Sequence, residues 1–301
     1  KRRANRKGTR KMSAAPIYDQ NPRVTVIMGR VNELAVLPHV VYKVLELSGA
    51  ADSTTAEMER AIVVDPGFSS RLLTMANSAY YGLPKKVTSI KEALMFLGFK
   101  AVRQLAMTVG VYDMFVGKTD RDSLRRRAWW RHSVDTAVCA KWLAQEFRSL
   151  PPDDAYTCGL LHYIGKSLLD RFGGDDYGKI EMLMQQGGAD RDCEIALYGC
   201  NHIEVAQVAA RKWGFPEQLV SGLDYVSLPA EEDPHLAHRA CVALCSSIAT
   251  FAMGGDAIQA SEEPFQLPDW AMNALGISED RTAECLDGGM RAIAAAAQLQ
   301  L

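Results

Sequence analysis

Apolar residues recur at steps of three and four along almost the whole of this 301-residue chain, and the two-residue alternation of a half-buried strand is hard to find. That period confines the chain to an all-α fold. Val40, Val44 and Leu47 share one face of a helix that Pro38 opens, because a first-turn proline forfeits no helical hydrogen bond. Thr54 or Thr55 caps the next helix, which stops near the turn signal Asp65-Pro66-Gly67. Further helices are expected over about 68–76, from Ile90 to a break at Gly98, and over 100–115. The charged stretch Lys118–Arg127 reads as an exposed connection. A long helix then covers about 127–147, with His132, Thr136, Cys139, Leu143 and Phe147 on one face, so His132 points inward. Pro151-Pro152 ends that segment, and Asp153 or Asp154 opens the helix that carries His162. Asn201, with Glu204 three residues on, forms a capping box and sets His202 at the start of a helix ending near Trp213-Gly214. A helix near 236–251 and a final alanine-rich helix follow an acidic, proline-bounded hinge at Pro229–Pro234.

The net charge of −2 gives no general attraction to nucleic acid, yet Lys1–Lys11 holds seven basic side chains and no acidic one. That arm reads first as a solvated tail or linker, and nucleic acid is not the expected partner. Seven cysteines without a paired framework suit a reducing compartment. Cys193, Cys200 and His202 are zinc-binding types but lack a CxxC pair, so buried thiols are the simpler reading. No apolar core follows the N-terminal charges, so no signal peptide is expected. The uncharged run between Arg239 and Asp256 is short for a membrane span and reads as a buried helix. A cytoplasmic protein without a transmembrane segment is the expectation.

The order of short motifs is more telling than any one of them. Leu37-Pro38, Val63-Val-Asp-Pro-Gly67, Ala76-Asn-Ser-Ala-Tyr-Tyr-Gly82 and Ser89-Ile-Lys-Glu-Ala93 come first. Trp130-Arg-His-Ser133, Gly159-Leu-Leu-His-Tyr-Ile-Gly-Lys166, His202-Ile-Glu204 and Trp213-Gly-Phe-Pro-Glu217 follow. In this order they resemble the HDOD domain, a signalling-output relative of the HD and HD-GYP metal-dependent phosphohydrolases. The resemblance covers roughly Val31–Leu228 and implies an HD-superfamily helical core with an N-terminal helical bundle. It divides the chain into a basic arm or linker over 1–30, an HDOD-like domain over 31–228 and a helical extension over 229–301, packed on that core or continuing it.

An active HD enzyme assembles a first histidine, a His-Asp pair, later histidines in some branches and a late aspartate. By resemblance His132 matches the first, His162 the histidine of the pair and His202 a later one. Tyr163 replaces the aspartate, Asp224-Tyr225 stands where related phosphodiesterases carry a histidine pair, and the late aspartate falls near Cys245-Ser246. A phenol is neutral near pH 7 and supplies no bridging anion to a hard divalent ion. The candidates for a degenerate pocket are therefore His132, His162, Tyr163, Lys166, His202, Asp224 and Ser246, with no cofactor and no metal expected. If an ion binds at all, His132, His162 and His202 would hold it, with Asp224 as a substitute ligand. Lys166 is either a surface residue or faces the old pocket, where it would attract phosphate.

The expectation is a non-enzymatic regulatory module working through a signalling protein partner or a homodimer. The alternatives are a residual metal-dependent phosphohydrolase and a pocket that senses a nucleotide or cyclic dinucleotide without cutting it.

Overall fold

Thr54 and Asp65 show how the chain starts its helices. In the computed structural model, which describes residues 21–34, 39–49, 52–116, 123–228, 230, 232–254 and 266–297, Thr54 accepts from the Glu57 amide at 3.3 Å. Glu57 in turn accepts from the Thr54 amide at 2.9 Å. This reciprocal box satisfies two otherwise orphaned donors. Asp65 accepts from the Phe68 amide at 2.9 Å with Pro66 just inside the helix. The Asp-Pro-Gly triplet that reads as a turn is thus also the start of a helix, which begins two residues before the expected Phe68.

The order is α1 (Pro22–Leu34), α2 (His39–Gly49), α3 (Thr55–Val63), α4 (Pro66–Ala76), α5 (Ile90–Val116), α6 (Ser123–Phe147), α7 (Pro152–Leu161) and α8 (Ile164–Phe172). There follow α9 (Gly178–Gln185), α10 (Asp190–Tyr198), α11 (His202–Lys212), α12 (Glu217–Gly222), α13 (Leu236–Met253), α14 (Asp269–Ala274), a 3₁₀ turn (Glu279–Arg281) and α15 (Thr282–Ala295). The protein is all-α; no strand occurs among the described residues. Gly98 breaks α5 as expected, with φ of +77°, a conformation that L side chains rarely adopt.

Helices α2 to α5 pack on one another as an N-terminal bundle, and α5 joins it to α6. Helix α6 is the axis of the second half, packed by α7, α13 and α15, while α8 and α11 pair beside it. One continuous set of buried apolar side chains runs from Val24 to Ala296. The helices after Pro229 therefore lie on the same chain's core. Helices α5 and α13 are long and apolar enough to cross a membrane by length and composition, but each turns much of its surface into this core.

Two boundaries need correction. Residues 22–30 do not belong to an arm: Val24, Ile27, Met28 and Val31 are buried, and α1 packs on α8 and α11. The expected connection Lys118–Arg127 is partly helix, since α6 begins at Ser123. Lys1–Lys11, Leu37-Pro38 and Pro229 lie outside the described residues.

Candidate functional site

His162 and Tyr163 do not sit inside a helix. They form the joint between α7 and α8, His162 closing one and Tyr163 opening the next. Helix α8 then runs against the first turn of α11 so closely that a Cβ on Gly165 would lie 1.8 Å from the His202 carbonyl oxygen. This glycine contact delivers His202 to the pocket from one side. His132 enters from α6, Ser246 from α13 and Tyr225 from the segment after α12.

The rings form one cluster. Tyr163 stacks on His132 with centroids 4.5 Å apart and lies 4.3 Å from the His162 ring. The two imidazoles are 5.2 Å apart, and Tyr225 meets His162 edge-on at 5.1 Å. The Lys166 ammonium lies 4.1 Å from the Tyr163 ring centre and pairs with Asp190 at 2.8 Å. Lys166 is therefore a buried cation rather than a surface residue.

The hydrogen bonds fix most of the protons. His162 Nδ1 is 2.6 Å from the Gly159 carbonyl, which only accepts, so Nδ1 carries the proton and Nε2 presents a lone pair. Ser246 Oγ lies 3.5 Å from that Nε2 and 3.0 Å from His132 Nε2. One arrangement satisfies all three groups: His132 donates to Ser246 and Ser246 donates to His162. A serine hydroxyl thus bridges the imidazoles, within the pair Cys245-Ser246 near which the family likeness places a late aspartate.

His202 is engaged at both ends. Its Nδ1 is 2.7 Å and its amide 2.8 Å from Glu194 Oε2, while Nε2 meets the Tyr225 hydroxyl at 3.1 Å. Tyr177 donates to the other Glu194 oxygen at 2.5 Å. Burial opposes the Glu194 charge, but His202 and Tyr177 outweigh it and hold this carboxyl below the usual range. Asp190 is likewise taken down to about 2 by Lys166 against the effect of burial. Lys166 itself ends above the ordinary lysine range, since Tyr163 and Asp190 more than offset its burial.

Asp224 is the candidate that the structure does not bring in. Its Oδ1 accepts from the Ser227 amide at 3.1 Å, and its carbonyl accepts from Arg239 Nε at 2.8 Å. It is a loop-fixing residue, and its expected role as a substitute ligand is withdrawn. Cys193 and Cys200 are buried thiols, and burial pushes Cys200 up to about 12. The sequence reading missed Glu194 and Asp190. Their spacing of four, placing both on one face of α10 just ahead of the Asn201 box, is the signal that could have found them.

The HDOD domain description matches residues 34–229. The chain belongs to the HDOD family. An uncharacterized protein of Treponema pallidum (strain Nichols) is 23% identical over 208 residues, covering 66% of this chain and 38% of its own length. The chain thus spans well under half of that relative. An HDOD domain protein of unknown function from Geobacter sulfurreducens shares the fold, with a TM-score of 0.71 and 23% identity over 93% of this chain and 98% of the other. A candidate phosphohydrolase of Shewanella amazonensis SB2B matches with a TM-score of 0.67 and 26% identity, covering 90% and 97%.

The divalent ion that the HD superfamily implies does not fit this HDOD pocket. No group of three His, Cys, Asp or Glu side chains suited to an ion occurs among the described residues. The two imidazoles share a neutral hydroxyl, Tyr163 fills the space beside them, and a lysine cation already stands there. Burial, and then the Lys166 charge, take His132 down to about 3; burial, then His132, lower His162 strongly.

These shifts have a sign. A histidine kept neutral in the fold but free to protonate when unfolded costs nothing above about pH 6.5, its ordinary value. Below that, stability falls as the unfolded chain takes the proton, until pH reaches about 3 for His132. Each such histidine is expected to remove about 1.4 kcal/mol per pH unit between pH 6 and 5. Urea midpoints at pH 7.5, 6 and 5 test this, with His132→Gln giving a shallower slope. Midpoints that stay level from 7.5 to 5 would show that the imidazoles protonate in place.

Proposed function

We propose that this HDOD domain is a non-enzymatic regulatory module that acts by contact with a signalling partner or a second copy of itself. The observation that carries the reading is the closed cluster His132–Ser246–His162, with Tyr163 and the Lys166 ammonium beside it. Metal-assisted hydrolysis needs an ion to polarise phosphate and acidify water. Here the anionic ligands are gone, the imidazole protons are committed, and an ammonium adds its positive charge beside them.

The deciding experiment is elemental analysis of protein purified without chelator or metal-affinity tag, followed by assay of a chromogenic phosphodiester with added manganese, iron or zinc. The expected result is no stoichiometric metal and no turnover. A bound transition metal, with cleavage lost in His162→Ala, would overturn the reading in favour of a residual phosphohydrolase.

A further inference from the structure

Beside the closed cluster a cleft of about 340 Å³ opens between the C-terminal half of α13 and the start of α14. Tyr225, Ser246, Ser247, Thr250 and Trp270 are part of its lining, and among the described residues no charged side chain lines it. The size suits one small ligand.

The direction of its hydrogen bonds decides what could enter. Ser247 donates to the Ala243 carbonyl at 3.0 Å, and Thr250 donates to the Ser246 carbonyl at 2.9 Å. A carbonyl cannot donate, so both hydroxyl protons are spent within the helix and only lone pairs remain for the cleft. Ser246 gives its proton to His162 when the imidazole pair is satisfied. Tyr225 lies 3.1 Å from His202 Nε2, so its hydroxyl is already engaged with that ring. The three hydroxyls of α13 thus offer acceptors to the cleft and have no proton left over.

Two further features point the same way. Trp270 forms part of the wall, and an indole face attracts cations more strongly than other aromatic rings. Thr250 lies in the last turn of α13, where the helix end carries partial negative charge.

We infer that this cleft binds a small organic cation bearing N–H donors, of the guanidinium or primary-ammonium class, and discriminates against phosphate. The ligand would lay its cationic group against Trp270 and donate to Ser247, Thr250 and Ser246. A phosphate would meet acceptors only. This goes beyond the regulatory reading, which stands or falls on metal and turnover whatever this cleft binds.

The test is calorimetry of the full chain with ethylguanidinium, n-butylammonium and agmatine, with inorganic phosphate and cyclic di-GMP as counter-probes. At least one cation is expected to bind saturably. Trp270→Leu should weaken it by about tenfold and Thr250→Val by about fivefold, as loss of a cation–π contact and of one charge-assisted bond would. Thr250 is exposed, so the valine variant should fold, and an unchanged circular dichroism melt checks that. No saturable cation binding up to about 10 mM, well beyond the weak end of ordinary affinities, would overturn the inference. So would cation affinity unmoved by either variant, or phosphate binding that Thr250→Val abolishes.

Discussion

Gly165→Ala is expected to destabilise the protein by about 3 kcal/mol or more and to loosen His202, although alanine is the better helix former by about 1 kcal/mol. The added methyl would sit 1.8 Å from the His202 carbonyl oxygen, 2.7 Å from its carbonyl carbon and 3.1 Å from the Ala206 amide nitrogen. All three are backbone atoms of α11, so no rotamer change relieves the clash, and α8 and α11 must move apart. That movement draws the Glu194–His202–Tyr225 chain away from Tyr163. Gly29→Ala is the matched control: it lies in α1 with nothing within 4 Å of the added Cβ, and should be neutral or slightly stabilising. Thermal melts of both variants, with hydrogen exchange at the His202 amide, read the difference. If Gly165→Ala melted like Gly29→Ala, α8 and α11 would not meet at backbone distance at Gly165.

Introducing carboxylates at positions 163 and 246 should have a different character, a loss of stability that metal repairs. In Tyr163→Asp/Ser246→Asp, two acids replace a ring and a hydroxyl around His132 and His162, which are 5.2 Å apart. Without metal, like charges in a buried space raise the carboxyl pKa values and cost several kcal/mol. With manganese or zinc the same groups become ligands, and a site filled at a hundredfold over Kd returns about 2.7 kcal/mol. The expected result is a lowered melting temperature that rises steeply with metal, against no metal response in the parent. Tyr163→Asp alone should respond weakly, because the new acid has the Lys166 ammonium at hand. A double variant that ignores both metals would mean that Ser246 does not occupy the late-aspartate position.

The fold was legible because each level of the sequence agreed with the others. The three- and four-residue period, the capping boxes at Thr54 and Asn201 and the glycine at 98 all point to the same helices. The histidines of the site were legible from motif order. Their partners were less so. Glu194 reaches His202 through tertiary packing of α10; its spacing of four from Asp190 marks a shared face but not the imidazole that face will meet. Asp224 misled for the complementary reason: its carboxylate accepts from the Ser227 amide at 3.1 Å, a loop contact that motif order does not register. His162 was expected inside a helix because the apolar period runs through it, and periodicity does not register a joint of two residues. Helix α1 was hidden by the basic stretch before it.

The family match stops at residue 229, whereas the hydroxyl that bridges the imidazole pair comes from Ser246 in α13. The segment that the family description spans is therefore shorter than the body that folds. Helices α13 to α15 supply a wall and a keystone from outside that segment, so a match to the family description alone does not fix what closes this pocket.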